Sequence, residues 1–187
     1  MVRFYTYLEV YLDDLHKRVS LSEFEKHFKK PHQTAKAHLQ EFVKEKILTL
    51  EKKERFSFYS LNKRNPLLRE YLALCEKERL LDHLEKNTLF RRLYEILSAH
   101  FNKNKVLLFG SATWKKEFAD IDLLIISNDK EIKKAIDEFI KTYSVKIHVV
   151  QTDKEHLTES FIMEIKKQHV IYNEHDYFIK ELYKHEL

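Results

Sequence analysis

The chain has 187 residues and a single glycine, Gly110, where average usage is about 7%. A sequence that does without glycine everywhere else keeps one only where the backbone needs a positive φ or where another group must approach it closely. Gly110 follows the apolar run Val106-Leu107-Leu108-Phe109 and precedes a polar loop. The junction of a strand and a loop is therefore the place where this backbone is predicted to do something unusual.

The texture around that junction is strands alternating with helices. Residues 106–109, 121–126 and 145–150 read as short apolar strands. Residues 130–141 show helical period through Ile132, Ala135, Ile136, Phe139 and Ile140. Residues 155–167 read as a further helix, 169–172 as an extended piece and 176–183 as a last helix. The second strand opens with Asp120-Ile121-Asp122. Alternate residues of a strand share a face, so the two carboxylates are about 7 Å apart at Cα and free to converge. Two such acids repel unless a cation lies between them, and hard oxygen ligands select Mg2+ or Mn2+, which also take oxygens from a nucleoside triphosphate. Gly110 lets the backbone come close to a phosphate, Ser111 adds a hydroxyl and an N–H, and Lys115 and Lys116 lie in a loop that reaches a triphosphate.

The run Leu108-Phe109-Gly110-Ser111, an eight-residue spacer and Asp120-Ile121-Asp122 resembles the signature of the DNA polymerase beta-type nucleotidyltransferase superfamily, particularly its minimal nucleotidyltransferases. Lys166-Lys167-Gln168 followed by His169-Val170-Ile171-Tyr172 is similar to the closing helix and strand of that family, so the resemblance spans about residues 104–187. It implies that Gly110 and Ser111 hold the triphosphate of an NTP and that Asp120 and Asp122 bind the metal. A nucleoside monophosphate would then pass to a hydroxyl on a protein, RNA or small molecule. Two departures bear on this. The spacer is shorter than is usual in the family, and the strand at 145–150, where the family carries a third carboxylate, reads Val-Lys-Ile-His-Val-Val. Lys146 and His148 share its polar face; a histidine there serves as a weak metal ligand or a base, whereas a lysine repels a metal.

The N-terminal half reads differently. Residues 1–64 hold 14 Lys/Arg against 9 Asp/Glu, and the rest of the chain holds 20 against 21. Helical spacing of Phe4, Tyr7, Leu8, Tyr11, Leu12 and Leu15 predicts an amphipathic helix over residues 2–18. A second helix follows, started by Ser20 or Ser22 and ending near Pro31, and a third spans 32–46. Residues 47–50 and 56–61 then read as two strands around a charged turn. Helix, helix, helix and hairpin resemble a winged helix-turn-helix domain. That resemblance implies DNA contact through Lys29, Lys30, His32, Gln33, Thr34 and Lys36, with Lys52, Lys53 and Arg55 in the wing.

Leucine-rich helices over 66–85 and 88–101 connect the halves, and their surplus of apolar positions makes a homodimer an expectation. No apolar stretch approaches the roughly 18 residues of a membrane span, and there is no basic segment followed by an apolar leader, so a cytoplasmic protein is expected. The lone cysteine, Cys75, sits in an apolar helical setting and reads as core. The expected fold class is α+β: a winged helix-turn-helix over 1–64, a helical linker over 65–103 and a small mixed-sheet nucleotidyltransferase-like domain over 104–187. Two functions remain open: a Mg2+-dependent nucleotidyltransferase carrying a DNA-binding domain, or a DNA-binding regulator whose nucleotidyltransferase-like domain senses nucleotide or mediates assembly.

Overall fold

Phe4 opens a 3-10 helix over Tyr5–Tyr11 in the structure of the chain, a computed structural model that describes residues 4–54, 56–127, 129–152 and 157–187. The single long α-helix predicted over 2–18 is therefore corrected. The described part is a short 3-10 helix followed by turns, where the Asp14 carboxylate accepts from the His16 N–H at 2.8 Å, the local bonding by which aspartate competes with a helix. Arg55 of the predicted wing and the predicted helix start at Glu155 lie outside the described residues.

The chain divides into two compact units, residues 1–75 with 179–187 and residues 76–178. In the first, a two-residue strand β1 (Val19–Ser20) leads into α1 (Leu21–Phe28), α2 (His32–Lys44), β2 (Leu48–Lys53) and β3 (Phe56–Leu61). The sheet order is β1-β3-β2, antiparallel throughout. Ser20 caps α1 in a full capping box with Glu23, which satisfies two backbone donors at once. Pro31 sits at the N-cap of α2, and α2 buries Ala35, Leu39 and Phe42 along one face. The C-terminal residues belong to this unit: Tyr183 donates its hydroxyl to the Leu12 carbonyl at 2.7 Å, and Glu186 accepts from the Leu15 N–H.

The second unit begins inside α3 (Leu68–Lys86) and continues through α4 (Thr88–Ser98), β4 (Lys105–Phe109), β5 (Ile121–Ile126), α5 (Glu131–Tyr143), β6 (Ile147–Thr152), α6 (Glu159–Lys167) and β7 (His169–Ile171), ending inside α7 (His175–Leu182). Its sheet is mixed, in the order β6-β5-β4-β7. Strand β5 runs parallel to β6, and β4 runs antiparallel to both β5 and β7. The α5 helix lies in the chain between the two parallel strands, as such a crossover requires. Strands β4 and β5 are apolar on both faces and contribute Val106, Leu108, Ile121, Leu123 and Ile125 to one core with Phe90, Leu93 and Leu97 of α4 and Ile132, Ile136 and Phe139 of α5. A mixed α+β fold with a small mixed sheet is the architecture expected for this half. Among the described residues no helix is long and apolar enough to cross a membrane.

Candidate functional site

Sheet register brings the chemistry of the second unit to one place. Asp122 on β5 pairs with Phe109 on β4 and with His148 on β6, and Phe109 pairs with His169 on β7. Directly paired residues project to the same face of a sheet, so His148, Asp122, Phe109 and His169 form a row across it. Helix α6 meets the same row: Phe161 packs edge-on against Phe109, with ring centroids 5.5 Å apart, and His169 Nδ1 lies 3.0 Å from the Ile165 carbonyl oxygen. The cleft that results has a volume of about 460 Å³, within the roughly 300–1,000 Å³ of small-molecule sites. Gly110, Ser111, Asp122 and His148 line it from the sheet side and its turn, and Phe161, Glu164, Lys167 and Gln168 from α6.

Gly110 has φ +76° and ψ −160°, a region reserved almost entirely for glycine. A Cβ added there would overlap the Asp122 carboxylate at Oδ2. The glycine is thus required twice, by its backbone angles and by the acid that fills the space where a side chain would stand. The turn that follows is a three-residue 3-10 segment, Ser111–Thr113, tied by the Thr113 hydroxyl donating to the Gly110 carbonyl at 2.7 Å and the Lys115 N–H to the Ser111 carbonyl at 3.0 Å. It is too short to offer the aligned dipole of a full helix terminus.

Asp122 holds its proton more tightly than an ordinary aspartate because of its burial first and the Asp120 charge second, with His148 opposing both. Glu164 adds to the same push across the cleft. Opposite each acid stands a base, one on β6 and one just before it. His148 Nδ1 is 3.5 Å from Asp122 Oδ1, and Lys146 Nζ is 3.9 Å from Asp120 Oδ2. Both bases are solvent-facing, with side chains 68% and 77% exposed, so neither contact is a fixed cap and the lysine swings clear without unpacking anything. Two neighbouring carboxylates beside a glycine bend, each faced by an exposed base, suit one hard divalent ion whose other ligands come from phosphate and water. Among the described residues no group of three His, Cys, Asp or Glu side chains is assembled for a metal.

Of the other residues singled out in the sequence, Lys115 and Lys116 are exposed and do not line the cleft; Lys115 Nζ lies over the Trp114 ring, 5.1 Å from its centroid. In the first unit, Gln33, Thr34 and Lys36 are exposed on α2, Lys29 is the left-handed C-cap of α1, and Lys52 and Lys53 are exposed on β2. Lys30 lies over the Tyr7 ring, and His32 is engaged by Glu25 at 2.7 Å. Sequence reasoning passed over Trp114, Phe161, Glu164 and Gln168. The spacing of the last three at i, i+3 and i+7 marks a shared helix face, but nothing local says what that face looks upon.

The cleft is anchored from behind. Glu76 of α3 is fully buried and accepts from Arg79 Nη1 at 2.9 and 3.1 Å, and Arg79 Nη2 donates to the His169 carbonyl at 2.8 Å. His169 Nε2 lies 2.9 Å from Glu76 Oε1. Both groups that face the ring, a carboxylate and a carbonyl, are acceptors.

A mixed sheet that brings Asp122 against a glycine-serine bend beside a cleft makes the second unit an α+β domain with a candidate site. Residues 90–181 match the nucleotidyltransferase domain family, and the match supports a nucleotidyltransferase domain in this half of the chain. Domains of that family act on NTPs and generally use divalent metal ions. No curated protein matches the chain significantly.

Proposed function

We propose that the second unit is a divalent-metal-dependent nucleotidyltransferase that moves a nucleoside monophosphate from an NTP to a hydroxyl acceptor. We propose further that the first unit is a winged helix-turn-helix that brings it to double-stranded DNA. The observation that carries the transferase reading is Gly110: the one glycine of the chain stands where a bend and a carboxylate must touch. The bend and the Ser111 hydroxyl receive the triphosphate, and Lys167, which lines the cleft, balances its charge. Asp120 and Asp122 would hold Mg2+ or Mn2+, which when bound neutralises charge on the transferring phosphoryl group. In the transfer, an acceptor oxygen bonds to the α-phosphorus, the bond from that phosphorus to the bridging oxygen breaks, and pyrophosphate leaves with the electron pair. The acceptor proton passes to the imidazole of His148, which stands in register with Asp122 where the family carries an acid.

A second reading, a DNA-binding regulator whose nucleotidyltransferase-like unit binds nucleotide without transferring it, is favoured by the two bases that face Asp120 and Asp122. Labelled NTP with Mg2+ tests the site itself. Wild type binds, and Asp120→Ala/Asp122→Ala binds at least about tenfold more weakly, as expected when charged ligands are removed; equal binding by both proteins would sink the site. Transfer of α-phosphate label to a protein or RNA pool then separates the enzyme from the regulator.

A further inference from the structure

We propose that Trp114 is the nucleobase platform of this cleft, so that the site selects a nucleoside triphosphate by stacking as well as by its phosphates. The inference rests on the NTP-binding reading of the cleft and adds to it the means of base recognition. Trp114 is the only tryptophan of the chain, and it lines the cleft while 61% exposed. An indole left this open keeps a large apolar surface in water, and a planar ligand that covers it recovers that surface. The residue is not adrift: its backbone N–H donates to the Ser111 carbonyl at 3.3 Å, and Ala112, two residues earlier, is buried in the core. The phosphate bend and the indole are thus fixed by one short turn, three residues apart from Ser111 to Trp114.

The cleft is also divided in its chemistry. Gly110, Ser111, Asp122 and Lys167 supply a polar region suited to a polyphosphate and its cation, while Phe109, Val150 and Phe161 line an apolar part. Lys115 Nζ lies over the Trp114 ring, 5.1 Å from the centroid, a cation–π contact of an exposed lysine that a stacked base replaces on that face. Gln168 at the end of α6 lines the same cleft and carries both a donor and an acceptor for the edge of a base. A tryptophan face stacks on any base, and its overlap is largest with a purine, so ATP and GTP should bind more tightly than CTP and UTP.

The test compares ATP with inorganic tripolyphosphate, each with Mg2+, by calorimetry on wild type, Trp114→Ala and Trp114→Phe. Wild type should bind ATP at least about tenfold more tightly than tripolyphosphate, the increment that one base stacked on an aromatic ring supplies. Trp114→Ala should lose that preference with tripolyphosphate affinity unchanged, and Trp114→Phe should restore part of it. Emission from the lone tryptophan of the wild type should change on adding ATP and not on adding tripolyphosphate. Because the side chain is solvent-facing, its removal leaves the core intact, which circular dichroism of the variants checks. Equal affinity of wild type for both ligands, or an unchanged ATP preference in Trp114→Ala, overturns the stacking role and leaves the phosphate site standing. Binding of neither ligand overturns both.

Discussion

Gly110 at φ +76° and ψ −160° makes the sharpest residue-scale prediction, because its neighbour and its backbone exclude a side chain for separate reasons. Gly110→Ala forces a residue with a Cβ into the glycine-only region, a strain of about 1–3 kcal/mol, and drives Asp122 out of its place. Chemical denaturation should show the destabilisation, and NTP binding should be lost with it. Asp122 carries the opposite trade. Its native carboxyl is raised by burial and by Asp120, so the folded chain binds this proton more tightly than the unfolded chain. Stability therefore falls as pH rises from the ordinary carboxylate range through the raised native value, and the deficit persists at neutral pH. Asp122→Asn removes it. The variant should melt above wild type at pH 7, by a margin that narrows as pH falls, and thermal scans with Mg2+ should raise the wild type while leaving the variant where it was. A variant less stable than wild type at pH 7 would mean that Asp122 is satisfied by His148 and needs no cation. Gly110, Ser111, Asp120 and Asp122 stand out by residue type and short spacing alone, and the close approach of Gly110 to Asp122 is what the structure adds. That Lys146 and His148 stand across from the two acids came only through the family resemblance, since His148 faces Asp122 through strand pairing between segments far apart in sequence.

At the scale of elements, the cleft keeps its shape because α6 and β7 are pinned to α3 by the buried Glu76, Arg79 and His169. Burial by itself would raise the Glu76 carboxyl, but Arg79, then the charge and hydrogen bond of His169, outweigh it and bring the group down to about 2. A depressed acid stabilises the fold above its unfolded value, and that contribution disappears as pH drops from the ordinary glutamate range toward 2. Glu76→Gln removes the buried carboxylate that Arg79 and His169 share, a loss of about 3–5 kcal/mol. Urea titration should show it at pH 7, and the wild type should lose stability on acidification more steeply than the variant. A variant within about 0.5 kcal/mol of wild type, the scatter of a neutral substitution, would mean that the three groups rearrange freely. None of this was visible in the sequence, where Glu76 is one acid in a charged helix and His169 lies 93 positions away. The elements themselves were largely legible: α2, α4 with its Asn87 cap, β3, β5 and α5 follow from apolar period and capping residues. The exceptions are instructive. Strand β1 is two residues long and exists only through its pairing with Tyr59 and Phe58, and the first helix yields at Asp14, whose carboxylate takes the His16 N–H.

Over the whole molecule, charge is distributed unevenly between the two halves. The first 64 residues carry the entire basic excess, 14 Lys/Arg against 9 Asp/Glu, while the remainder is close to neutral. On α2 the apolar face of Ala35, Leu39 and Phe42 is buried, which leaves Gln33, Thr34 and Lys36 outward on the helix that follows the α1–α2 turn. Lys29 and Lys30 precede that helix, and Lys52 and Lys53 extend along the β2–β3 hairpin. A duplex lying on this surface would be held mainly through phosphates, and each phosphate contact steepens the fall of log affinity with log salt by about 0.9. Neutralising Lys29, Lys30 and Lys36 together to Gln should therefore weaken duplex binding at every sequence tested. It should also make the salt slope shallower by about 2.7, three contacts at that rate, read by fluorescence anisotropy between low and physiological salt. An unchanged slope would remove these lysines from the DNA surface. The same experiment on Lys52→Gln/Lys53→Gln distinguishes a hairpin that touches backbone from one that does not, because a wing in contact lowers the slope by its own share and a free hairpin leaves it alone. His32 offers an internal control: its ring is already engaged by the Glu25 carboxylate, so His32→Ala should change the slope less than any of the lysines.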